Sequence, residues 1–132
     1  MAARLGTISL DASYAYSHAR VDAPGLTFDG LAPAQSPRHA ASATIGWRPA
    51  DGWSLSGTVR YIGRQYEDDL ESDVLPDALT VDAFARMPIT RGLTLVGRAE
   101  NLFDKAVVTR NSGGTIDLGT PRTLWIGLRI ER

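Results

Sequence analysis

This sequence predicts an all-β fold, an antiparallel up-and-down meander of about six long strands. Three observations carry it: apolar and polar residues alternate with a period of two, the charges inside the alternating segments fall on one parity, and short and long connections follow one another in turn.

The first strand is expected from about Leu5 to Arg20, with Ile8, Leu10, Ala12, Tyr14 and Tyr16 on one face and Thr7, Ser9, Asp11, Ser13 and Ser17 on the other. Residues 21–37, rich in Pro, Gly and Ala, form a loop. The second strand, about Arg38 to Arg48, sets Ala41, Ala43, Ile45 and Trp47 against Ser42, Thr44 and Arg48; Pro49 to Gly52 then reads as a tight turn. The third, about Trp53 to Tyr66, opposes Trp53, Leu55, Val59 and Tyr61 to Ser54, Ser56, Thr58, Arg60 and Arg64. An acidic loop leads to the fourth, near Leu79 to Met87, where Leu79, Val81, Ala83, Ala85 and Met87 face away from Asp82 and Arg86. After a short turn at Pro88 to Gly92, the fifth pairs Leu93, Leu95, Gly97 and Ala99 against Thr94, Arg98 and Glu100. A long loop precedes the sixth, with Leu124, Ile126, Leu128 and Ile130 opposite Trp125, Arg129 and Glu131.

Charge placement decides the class. Asp11, Arg60, Arg64, Asp82, Arg86, Arg98, Glu100 and Arg129 all occupy the polar parity, whereas His18, Arg20, His39 and Arg122 break it only at strand ends. No run of about 18 apolar residues exists to span a membrane as a helix. A membrane barrel needs no such run, because only alternate residues meet lipid. A soluble sandwich also alternates, but its strands run about five or six residues, and these are longer. Tyr14, Tyr16, Trp47, Trp53 and Tyr61 sit on the apolar face towards strand ends, where interfacial girdles lie.

Other functions find little support. The chain has no Cys, and its His18 and His39 have no metal-ligand spacing to another ligand. It carries no G-x-S-x-G elbow, and Asn111 to Gly114 lacks the Lys-Ser/Thr of a phosphate loop. Catalysis is not expected, nor any cofactor. A net charge of −1 over 132 residues gives no nucleic-acid footprint.

Five stretches carry a family resemblance: SPRHAASATIGWRP at Ser36 to Pro49, VRYIGRQYEDD at Val59 to Asp69, LTVDAFARMPI at Leu79 to Ile89, ENLFD at Glu100 to Asp104, and LGTPRTLWIGLR at Leu118 to Arg129. In order and spacing the chain resembles the C-terminal part of a TonB-dependent outer-membrane receptor, over most of residues 36–132. The resemblance implies that residues 1–132 are a segment of a 22-stranded transmembrane β-barrel closed around an N-terminal plug. Such a receptor imports a scarce ligand such as a ferric siderophore, driven through TonB. The motif positions are Asn101, Leu102, Phe103, Asp104, Pro121 and Arg122, and Gly127, Leu128 and Ile130 fall where the barrel-assembly machinery is thought to read the closing strand. Two departures stand out: Ala106 and Val107 replace an aromatic common after NLFD, and Glu131 and Arg132 follow Ile130 where an aromatic usually ends the chain.

About six strands cannot close on themselves, since the smallest single-chain membrane barrels have about eight. The remaining strands and the plug are expected from a longer parent chain, with this piece, a truncated reading frame or an excised fragment, inactive alone. An oligomeric outer-membrane porin and a soluble β-sandwich binding module are the alternatives. With the short turns on the periplasmic side, the C-terminus lies in the periplasm of a Gram-negative cell and the loops face outward. Among them Glu67, Asp68, Asp69, Glu71 and Asp73 are candidate ligand-loop residues. Their spacing does not fit a calcium loop, so a solvated loop outweighs a divalent-cation site.

Overall fold

The computed structural model describes residues 1–131; Arg132, half of the terminal departure noted above, lies outside them. Among the described residues the strands are β1 (Ala2–Leu5), β2 (Ile8–Tyr16), β3 (His39–Trp47), β4 (Ser54–Ile62), β5 (Gln65–Tyr66), β6 (Val74–Leu75), β7 (Ala78–Thr90), β8 (Leu93–Glu100), β9 (Val108–Ser112), β10 (Thr115–Leu118) and β11 (Thr123–Ile130). Seven form one antiparallel sheet in the order β1-β2-β3-β4-β7-β8-β11, and β5-β6 and β9-β10 are hairpins within the long connections.

The register turns the alternation of the sequence into two continuous faces. Leu10, Ile45, Gly57, Ala83, Ala99 and Leu124 stand opposite one another across six strands, and Asp11, Thr44, Thr58 and Asp82 form the next row on the other face. A slip of one residue anywhere would exchange the faces. The polar face adds hydroxyl pairs to its ladder, Ser13 with Ser42 at 2.8 Å and Thr44 with Thr58 at 2.9 Å. Among the described residues nothing covers the apolar face: Ile45 is 56% exposed and Ile126 80%, and the buried apolar residues are Leu75 and Ala78. The second layer that a sandwich requires is absent among the described residues, so that alternative fails.

Three boundaries differ from expectation. The expected first strand is a hairpin: Gly6, at φ +59, and Thr7 turn the chain so that β1 pairs with β2, and the strand ends at Tyr16. Leu5 and Ile8, three residues apart, break the two-residue period, and they stand opposite each other across the turn. The third strand stops at Ile62, where buried Gly63 donates its N–H to His39 O at 2.8 Å, and Gln65 and Tyr66 join the loop hairpin instead. The fourth continues through Pro88 to Thr90, with a register shift between Pro88 and Thr90 accommodating the residue that cannot donate.

Turns 6–7, 48–53 and 91–92 gather at one end of the sheet, and connections 17–38, 63–77 and 101–122 at the other. The chain leaves β11 at the short-turn end, where the Glu131 N–H bonds Gly92 O at 2.9 Å. Gly92 has φ +82, and a Cβ there would lie 2.7 Å from Glu131 O. Gly92→Ala should therefore destabilise the sheet by about 1–3 kcal/mol in urea titrations. Gly127→Ala, where a Cβ meets nothing within 4 Å, should stay within about 0.5 kcal/mol.

Candidate functional site

The three long connections form one assembly because the acidic residues of the middle one reach backbone N–H groups of the other two. Glu71 accepts from Ala32 N at 2.8 Å and Asp69 from Ala34 N at 2.7 Å, both in the first connection. Glu67 accepts from Asn111 N at 3.4 Å and Asp73 from Gly113 N at 3.1 Å, both in the third. Two more bonds in the same sense, to main-chain carbonyls of the middle connection, complete the joint: Gln35 N donates to Tyr66 O at 2.7 Å, and Asn111 Nδ2 to Val74 O at 3.3 Å. Asp68 folds its own loop, accepting from the Leu70 N–H at 2.7 Å, from the Ser72 and Asp73 N–H groups at 3.3 Å, and from the Ser72 hydroxyl. That hydroxyl is the main reason the Asp68 carboxyl lies below its ordinary 3.8; desolvation opposes it, and the Ser72, Leu70 and Asp73 amides add to it.

The candidate loop carboxylates are thus dispersed over separate donors rather than gathered around one point. No three acidic or imidazole side chains among the described residues stand close enough to share a cation. Asn111 belongs to the assembly and was missed from sequence, because nothing local distinguishes an Asn that bridges from one in solvent.

A second constellation lies where β8 gives way to the third connection. Asn101, at φ +48 and 5% exposed, takes the left-handed conformation that Asn tolerates better than most residues. Its Nδ2 donates to Lys105 O at 2.9 Å and Thr120 O at 3.1 Å, and its Oδ1 accepts from Lys105 N at 2.9 Å. Leu102 N bonds Val81 O at 2.7 Å, and Asp104, at φ +54, accepts from Arg122 N at 2.9 Å just before β11. Pro121 sits between these two clamps, one residue after the Thr120 carbonyl that Asn101 holds. Phe103 is 75% exposed and takes no part in the packing. Gly127 lies on the polar face of β11, and Leu128 and Ile130 on its exposed apolar face.

Asp82 ties this turn to the wall, accepting from Asn101 N at 2.9 Å and pairing across strands with Arg60. Of the other charges on the polar face, Arg98 pairs with Glu100 and Arg129 with Glu131 at 2.8 Å along their strands, and Arg86 reaches Glu131 at 3.7 Å from the far side of β8. Arg98 also lies over the Trp125 ring at 5.4 Å. Exposed pairs of this kind contribute about 1 kcal/mol or less each.

The family profile described as TonB dependent receptor-like, beta-barrel matches residues 2–102. The chain is 30% identical over 115 residues to the ferrichrome outer membrane transporter/phage receptor of Escherichia coli K12, covering 81% of this chain and 15% of that protein. In structure it is similar to the ferric preacinetobactin receptor of Acinetobacter baumannii, with a TM-score of 0.81 and 21% identity over 96% of this chain and 20% of the receptor. The ferric yersiniabactin uptake receptor of Yersinia pestis gives a TM-score of 0.83 at 18% identity, over 96% of this chain and 21% of that one. The chain thus spans about a fifth or less of the length of these proteins.

Asn101→Ala leaves two carbonyls and one N–H without their partner, so it should cost about 3 kcal/mol in a urea titration. Asn101→Asp keeps the acceptor but turns a carboxylate towards the Lys105 and Thr120 carbonyls, and it should also destabilise, by about 1–3 kcal/mol.

Proposed function

Since the chain belongs to the TonB-dependent receptor β-barrel family, we propose that it forms part of the wall of an outer-membrane barrel that imports a ferric siderophore. The observation that carries this reading is the uncovered apolar face, continuous across the seven-stranded sheet and backed by a polar one. Water would not tolerate such a face on a monomer, whereas lipid requires it. β2, β3 and β4, at nine residues each, match the about 9–11 residues of a tilted membrane-crossing strand.

In this reading the polar face lines the lumen of a 22-stranded barrel, against a plug supplied with the remaining strands by the rest of the receptor. TonB delivers energy to that plug from the inner membrane. The short-turn end and the C-terminus lie in the periplasm, and the joined long connections form the outer mouth, where Glu67, Asp68, Asp69, Glu71 and Asp73 hold the loops that meet the ligand. Gly127, Leu128 and Ile130 of β11 are the positions for the barrel-assembly machinery to read. The family consists of receptors and transporters, and the chain's part in the process is structural rather than catalytic.

Neighbouring residues of β3 distinguish the faces. Ala43→Arg, in the middle of the apolar face, should destabilise the receptor by about 2–4 kcal/mol and reduce its heat-modifiable folded band. Thr44→Arg, directed to the lumen opposite Asp11, should cost about 1 kcal/mol or less. Equal effects of the two would remove the membrane-wall reading. For transport, the receptor carrying this segment should support iron-limited growth on a ferric siderophore in a host lacking its own siderophore receptors. Growth that persists without TonB, or after deletion of residues 79–130, would refute import through this barrel.

A further inference from the structure

At the loop end of the sheet a cavity of about 470 Å³ opens between the first long connection and the ends of β3 and β4. Arg20, Arg38, Arg64, His39, Tyr61 and Tyr66 contribute to its lining. The three arginines are exposed, and none forms an ion pair among the described residues. Two are nevertheless oriented: Arg20 Nη1 donates to Gly30 O at 2.9 Å, and Arg64 lies 5.4 Å from the Tyr66 ring centroid. Glu71 also lines the cavity, but its carboxylate is engaged by the Ala32 N–H at 2.8 Å. The cavity therefore holds several unused guanidinium N–H donors and an excess of positive charge.

Its position narrows the ligand. Tyr14, Tyr16, His39 and Tyr61 share the apolar face at this end of the sheet, with the Tyr14 hydroxyl 2.8 Å from His39 Nδ1 and the Tyr16 ring centroid 5.3 Å from that of His39. Such an aromatic belt marks the headgroup level of a bilayer. Guanidinium forks at that depth match the oxygens of a phosphate.

We propose that this cavity is a phosphate-binding site, supplied either by the headgroup of an anionic lipid or by free phosphate, with its depth favouring the lipid. The lipid source rests on the membrane-wall reading; the phosphate chemistry does not.

The test uses the delipidated receptor carrying this segment, in dodecyl maltoside, titrated calorimetrically with dihexanoyl phosphatidic acid below its micellar concentration and separately with inorganic phosphate. Binding of phosphatidic acid about tenfold tighter than of phosphate assigns the site to a lipid headgroup; equal binding supports the site and assigns it to the free anion. Arg38→Gln/Arg64→Gln should weaken binding about tenfold, and Arg20→Gln, which reaches the cavity from the start of the first connection, should weaken it in the same direction. Both variants should keep the heat-modifiable band and TonB-dependent growth of the parent, so a loss of binding is separable from a failure to fold and from a failure of the transport reading. Absence of binding by both probes, or affinities unchanged in the arginine variants, overturns the proposal.

Discussion

Register is the constraint on which the rest of this structure depends. In a one-layer sheet no opposing layer holds the strands, so their alignment rests on the backbone ladder and on which residues can share a face. The row from Leu10 to Leu124 and the row from Asp11 to Asp82 are adjacent. A one-residue slip would send Asp11 and Asp82 to the apolar side and Ile45 to the polar one, so charge placement is itself a force for alignment. Small residues at Gly57, Ala83, Gly97 and Ala99 let the central strands lie under larger neighbours without crowding.

The two ends of the sheet are built differently. At the short-turn end, glycines at positive φ reverse the chain in a few residues, and close approach of the Glu131 carbonyl to Gly92 leaves no room for a side chain. At the other end the connections are too long to be ordered by turn geometry. They are ordered by one another, through carboxylates that accept backbone N–H groups. A run of acidic residues that would repel itself in isolation is thereby dispersed, each charge meeting its own donors.

The turn at Asn101 connects these two regimes. Its side chain gathers the Lys105 and Thr120 backbone, its own N–H is held by Asp82, and Asp104 positions Arg122 for the start of β11. Residues 101–104 therefore form a joint between wall and loops. Phe103, 75% exposed, takes no part in this joint.

Much of the wall was legible in the sequence, since alternation is a local property: Ala41, Ala43, Ile45 and Trp47 must share a face wherever their strand lies. The long and short connections were equally plain, and so was the polar parity of Asp82 and Arg98. Boundaries were less so: the period breaks between Leu5 and Ile8, but a break of phase alone does not distinguish a bulge from a reversal, and the pairing of β1 with β2 shows that the chain reverses at Gly6. The role of the acidic run was not legible at all. Glu71 and Asp69 find their donors 39 and 35 residues away, and Glu67 and Asp73 find theirs 44 and 40 away. Composition marks such residues as charged, but which N–H each one meets exists only after the strands between them have paired. By itself the sequence determined which residues share the apolar face and which the polar one, through the two-residue period of an extended chain; the tertiary structure alone decided which distant loops lie together, because that is set by the register of the whole sheet.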